Sequence, residues 1–246
     1  MSELVTREDK DGLCTLTLNR PEKLNALNYD VFKALAGHID DIESHPASVG
    51  CVLLRGVGRS FCAGHDLDDI GGGREGHHVA QFESHTIERL SLLPMPVVCV
   101  VQGHCLTGGL ELALGADIII AAETAKFADT HGKWDLVPVW GMSQRLPRRI
   151  GVARAKEMMF TSRTYSGREA AAMGLANFCV PDAELEGVVA HFTGEVLANS
   201  WRSNRANKKL LSDTECMTLE AGLAHEIHRS EGRGPDMAER LARMRK

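Results

Sequence analysis

The 246-residue chain predicts an α/β fold: a mostly parallel sheet followed by a helical carboxyl-terminal third. Three observations carry this. Continuous apolar runs at 51–54, 97–101 and 118–121 have the length of core strands. Helical periodicity separates the first strands from one another, which implies right-handed crossovers between parallel neighbours. Beyond about residue 141 the strand signals stop, leaving short segments rich in Ala, Leu, Arg and Glu.

In chain order, residues 13–18 alternate apolar side chains with Thr and form the first expected strand. A helix is expected over 29–42, capped by Asn28, with Val31, Leu35, Ile39 and Ile42 on one stripe. A second helix, over 79–93, ends before Pro94 because the residue preceding proline is pushed out of the helical region. The cluster Gly71-Gly72-Gly73 reads as a mobile loop. No fixed-period repeat is present.

Two glycine-bearing turns carry the chemistry, Ala63-Gly64-His65-Asp66 and Thr107-Gly108-Gly109-Leu110-Glu111, the second opening an apolar helix. Backbone amides at such turns point outward, and two that converge form a cradle for a negative oxygen. Glu111, three residues beyond Gly108, places a potential acid or base beside it. That combination suits chemistry in which charge develops on a carbonyl oxygen while a proton moves nearby.

Four stretches, 18–28 (LNRPEKLNALN), 60–67 (SFCAGHDL), 103–128 (GHCLTGGLELALGADIIIAAETAKFA) and 141–151 (GMSQRLPRRIG), resemble the enoyl-CoA hydratase/isomerase family, the crotonases, in family order and over nearly the whole chain. The resemblance implies a crotonase-like spiral of β-β-α turns over residues 1–190 and a helical trimerisation region over 191–246. It implies an acyl-CoA thioester as substrate, coenzyme A entering only as part of that substrate, and a homotrimer or homohexamer. The tail positions Met217, Leu219, Leu223 and Ile227 are apolar and need a cover.

By the same resemblance the oxyanion donors are the amides of His65 and Gly108, and Glu111 matches the first of two water-holding glutamates. His131 stands where the second is expected, with Asp129 two residues before it and Asp135 four after. A histidine there serves as a second acid or base or as a hydrogen-bond donor to substrate. The ring of His65 is a candidate for a substrate carboxylate. Backbone groups at Lys23, Leu24 and Ala26 are expected at the adenine end, with Asp66 and Leu67 along the pantetheine arm, Ala63 among the residues that bind the substrate thioester, and Lys208 or Lys209 at a phosphate. Trp134 and Trp140 either wall the acyl pocket or belong to the core. Each residue also has a plain structural role: Glu111 as a first-turn acid, His131 in a loop, Asp66 capping its own turn.

Composition narrows the alternatives. The net charge of -5 disfavours nucleic-acid and anionic-membrane partners. The polar start MSELVTREDKDG has no leader-like apolar core, and no run approaches the roughly 20 residues of a membrane span, so the expected setting is cytoplasmic. The 7 cysteines lack zinc spacing, and His225 and His228 lack a third ligand, so no metal is expected. Gly56-Val57-Gly58 lacks the third glycine of a dinucleotide turn. Three readings remain: hydration of 2-enoyl-CoA; another enolate reaction, namely isomerisation, decarboxylation or carbon-carbon hydrolysis; and a catalytically weak acyl-CoA-binding protein.

Overall fold

A computed structural model describes residues 3–68 and 76–244; the glycine cluster at 71–73 lies outside them. The chain begins with a hairpin, β1 (Val5–Lys10) against β2 (Leu13–Leu18), paired antiparallel. Its turn, Asp11-Gly12, has φ of 50° and 86°, the double left-handed geometry that a two-residue hairpin demands. Helix α1 (Tyr29–Ser44) follows, its first turn held by Asn28 accepting from the Val31 amide at 3.0 Å. All of Val31, Leu35, Ile39 and Ile42 are buried, as the stripe requires.

Strand β3 (Cys51–Gly56), helix α2 (His77–Leu92), β4 (Val97–Val101), β5 (His104–Leu106) and the short helix α3 (Gly108–Ala113) come next. They lead into β6 (Ile118–Ala122) and β7 (Lys126–Ala128). Contrary to expectation, strands continue beyond residue 141. After α4 (Met142–Ile150) and α5 (Val152–Thr161) come β8 (Tyr165–Ser166), α6 (Gly167–Ala172) and β9 (Phe178–Val180). These two strands are only two and three residues long, too short for a hydrophobic period to register, and pairing with β7 and β6 makes them strands.

Helices α7 (Leu185–Ala198), α8 (Trp201–Thr214), α9 (Leu219–Arg229) and α10 (Met237–Met244) complete the described chain. None of the described helices is long and apolar enough to cross a membrane.

The larger sheet has the order β1-β2-β3-β4-β6-β9, parallel throughout after the first hairpin. A smaller sheet runs β5-β7-β8. Both faces of the larger sheet are covered, which is why its central strands are apolar without interruption. Leu54, Val97 and Ile119 face the core shared with α1 and α2, while Leu53, Val98 and Ile120 face Leu185 and Val189 of α7. Cys14, Cys51, Cys62, Cys99 and Cys105 are buried free thiols. Burial pushes the Cys14, Cys51 and Cys62 thiols up to about 12, so they stay protonated at neutral pH. The connection from β5 into α3 and the end of β7 open on the same side, and there the two glycine turns meet.

Candidate active site

The first turn is pinned along the 24–27 segment. The Ala63 amide donates to the Leu24 carbonyl at 3.0 Å, Leu27 to Gly64 at 2.8 Å, and Asp66 back to Leu27 at 2.7 Å. Gly64 sits at φ 110°, where a side chain is strained, and a methyl group there would stand 3.0 Å from the Leu106 carbonyl oxygen. The second turn is anchored by the Thr107 amide donating to Ala128 at 2.8 Å, with Thr107 itself held at φ 50°. The strain at Thr107 rotates the chain so that Gly108 begins α3 with an amide that has no intrahelical acceptor.

The two turns converge. A methyl on Gly108 would lie 3.4 Å from the His65 nitrogen, and one on Gly64 would lie 3.7 Å from the Gly108 nitrogen. Because α3 has only 6 residues, the local N–H groups matter more here than a macrodipole. The Trp140 ring lies over Gly108, so close that a methyl there would be 2.4 Å from Cζ3. Trp140 also packs against His65 and Phe32, with ring centroids 5.0 and 4.9 Å away.

Glu111 is 1% exposed, far from the solvated face an ordinary first-turn acid would have. Its Oε1 accepts from the Trp140 amide at 2.9 Å and the Met142 amide at 3.0 Å, which fixes the carboxylate against the start of α4. Its Oε2 faces His131 Nε2 at 3.7 Å. Burial pushes the Glu111 pKa up, the two amides and His131 pull it down, and burial prevails. His131, also buried, is clamped by Asp129: Oδ1 accepts from the His131 backbone amide at 3.1 Å and lies 2.6 Å from the ring Nδ1. Asp129, Glu111 and His131 thus form one buried array.

A cavity of about 560 Å³ opens over this array. Ala63, His65, Leu67, Gly108, Glu111, His131, Trp134 and Trp140 line it, so most of the residues singled out in the sequence come together. Trp140 is buried and lines the cavity at once; Trp134 is exposed at its mouth and is not core. Thr107, Thr130, Lys133, Val137 and Val139 also line it and were not singled out for the site. The Thr107 and Thr130 hydroxyls bond each other across the turn, a pairing of residues 23 apart that no local motif signals.

Of the residues expected along coenzyme A, Leu67 lines the cavity together with Ala63, whereas Lys23, Leu24, Ala26 and Asp66 lie beside it. Lys23 is exposed and pairs with Asp68. The Leu24 carbonyl accepts from Ala63, and that of Ala26 from Arg20 at 2.6 Å. Asp66 holds its own turn, accepting from the Asp68 amide at 3.2 Å, and pairs with Arg20 at 2.8 Å. Burial raises its pKa, but Arg20 and the Asp68 amide more than offset that and hold it below the usual range. Lys208 does not reach outward. Its ammonium is tied down by Asp117 at 2.7 Å and the Met95 carbonyl at 3.1 Å, while Lys209 pairs with Asp213. His225 likewise pairs with Asp213 at 3.2 Å.

Comparison with known proteins places this geometry in context. A model described as enoyl-CoA hydratase/isomerase matches residues 8–232. The chain is 34% identical to a 1,2-epoxyphenylacetyl-CoA isomerase of Escherichia coli K12, covering 97% of this chain and 94% of that one. It is 32% identical to the crystal structure of an enoyl-CoA hydratase from Bacillus anthracis, with a TM-score of 0.93 over 98% of this chain and 96% of that one. A chain from Thermobifida fusca YX, assigned as an enoyl-CoA hydratase and solved with acetoacetyl-CoA, superposes with a TM-score of 0.86 at 27% identity, over 99% of this chain and 95% of that one.

Proposed function

The chain belongs to the enoyl-CoA hydratase/isomerase family and is an enzyme of the crotonase type, and from that premise we propose that it adds water across the double bond of 2-enoyl-CoA thioesters. The observation that carries this is the 3.7 Å gap between Glu111 Oε2 and His131 Nε2 beside the converging amides. Two acceptors at that separation suit one water molecule that donates a hydrogen to each and turns a lone pair toward the substrate. The thioester oxygen sits between the His65 and Gly108 amides, which stabilise it as it gains charge. Water oxygen attacks the β-carbon, Glu111 takes the released proton, and the resulting enolate recovers that proton at its α-carbon. Water is consumed and a 3-hydroxyacyl thioester leaves.

Lys23, Leu24, Ala26, Asp66 and Leu67 carry the coenzyme A arm in this reading, supported by the bonds that join Leu24 and Leu27 to the first oxyanion turn and by Leu67 in the cavity wall. Assembly into a homotrimer or homohexamer is supported by Leu211, Leu219 and Ile227, which are 74%, 80% and 78% exposed. The division at 190/191 belongs to the same reading, with α7 continuous across it. A cytoplasmic setting is supported by the buried free thiols.

Isomerisation is the second reading, favoured by a specific observation: an imidazole replaces the second carboxylate, and a carboxylate-imidazole pair suits moving one proton between two carbons. Loss of the conjugated enoyl absorbance on incubation with crotonyl-CoA supports hydration. Stable absorbance there, together with a gain of conjugation from a 3-enoyl-CoA, supports isomerisation instead.

A further inference from the structure

Asp129 belongs to no expected set of substrate contacts and does not line the cavity, yet it is 1% exposed and makes two bonds to one residue. Its Oδ1 is shared between the backbone amide of His131 and ring Nδ1, so carboxylate, backbone and ring form a closed clamp two residues long. A carboxylate accepts only, and the shared oxygen is already committed to a donor, so the ring nitrogen facing it must carry its proton. We propose that Asp129 is a positioning residue that holds His131 in the Nδ1–H tautomer, so that the bare Nε2 faces Glu111 as the second acceptor for the attacking water. The inference rests on the hydration reading for its catalytic consequence, but the tautomer itself stands on geometry alone.

The alternative tautomer would set an Nε2–H against Glu111 Oε2. It would turn the water-holding pair into one donor and one acceptor, and a water molecule between them could no longer give a hydrogen to each. A neutral imidazole free in water favours Nε2–H, so the site needs a restraint to hold the other form. Asp129 supplies it in the manner by which carboxylates orient histidines in other catalytic and metal sites.

Long-range proton-nitrogen spectra of the full chain with nitrogen-15-labelled histidine read the tautomer without turnover, and loss of one spin system in His131→Gln assigns the ring among the 11 histidines. The expected result at mildly alkaline pH is a protonated Nδ1 and a bare Nε2. In Asp129→Ala the ring should move to Nε2–H, and kcat should drop by about 10- to 100-fold with KM changed less than about threefold. A wild-type ring in the Nε2–H form overturns the proposal even if Asp129→Ala fails to fold. So does an Asp129→Ala protein that binds acetoacetyl-CoA normally and keeps both the tautomer and kcat. If the tautomer is as proposed but crotonyl-CoA is not hydrated, the hydration reading fails and the positioning role stands.

Discussion

At the scale of single residues, Glu111 could be singled out in the sequence because it lies one helical turn from a glycine that opens a helix. Its environment could not. Oε1 is held by the amides of Trp140 and Met142, 29 and 31 residues away, and no local pattern encodes that contact. His131 was visible as a departure from the family spacing, whereas the 2.6 Å bond that orients it depends on the backbone turn after β7. The raised pKa of Glu111 has a sign that can be followed. The native state binds this proton more tightly than the unfolded chain, so the stability it contributes is fully present at low pH and is lost as pH rises through the raised value. Glu111→Gln, an isostere whose Oε1 keeps both amide bonds, should therefore melt at or above the wild-type temperature at pH 8 in thermal denaturation. As a base, Glu111 must be ionised, so wild-type kcat should fall on acidification at a pH above the ordinary carboxylate range, read from a pH-rate profile.

At the scale of elements, the long ones were legible because their patterns are long. Helix α1 carries four buried positions of one stripe, and β4 is a continuous apolar run. The starting hairpin was missed although its Asp11-Gly12 turn is a strong short-range signal, because the charged residues of β1 mask its alternation: only Val5 is buried. That hairpin also receives a distant element. A methyl on Gly12 would meet the Trp201 ring at 2.2 Å, and one on Gly50 would meet it at 2.3 Å, so two glycines form the slot in which α8 docks. Gly12→Ala, strained at φ 86° as well, should cost about 1–3 kcal/mol, read as a lower denaturant midpoint. Gly64→Ala should act on function instead. Its methyl forces the first turn away from Leu106, displacing the His65 amide, and loss of one oxyanion donor costs roughly 100-fold or more in kcat.

At the scale of the whole molecule, a mostly parallel sheet over a sizeable core followed from composition and periodicity, while the strand order, with β8 and β9 beyond residue 141, did not, and the surface left by α8 and α9 is apolar and exposed. Leu211, Leu219, Leu223 and Ile227 project from these two helices without cover. Light scattering should return three or six chain masses, and substituting charged residues for Leu219 and Ile227 should lower that number. Leu219, Leu223 and Ile227 were singled out in the sequence and Leu211 was not; their joint exposure depends on how α8 and α9 pack together.

The proton-handling role of Glu111 is the claim on which the account turns, and its most direct test is turnover of crotonyl-CoA by the wild type, Glu111→Gln and His131→Gln, followed as loss of enoyl absorbance. The account predicts hydration by the wild type and a loss of about 100-fold or more in kcat for Glu111→Gln, with thioester affinity within a few fold. His131→Gln should lose less, because that ring orients the water while Glu111 takes its proton. Near-normal turnover by Glu111→Gln alongside an inactive His131→Gln would contradict the account and move the base to the histidine.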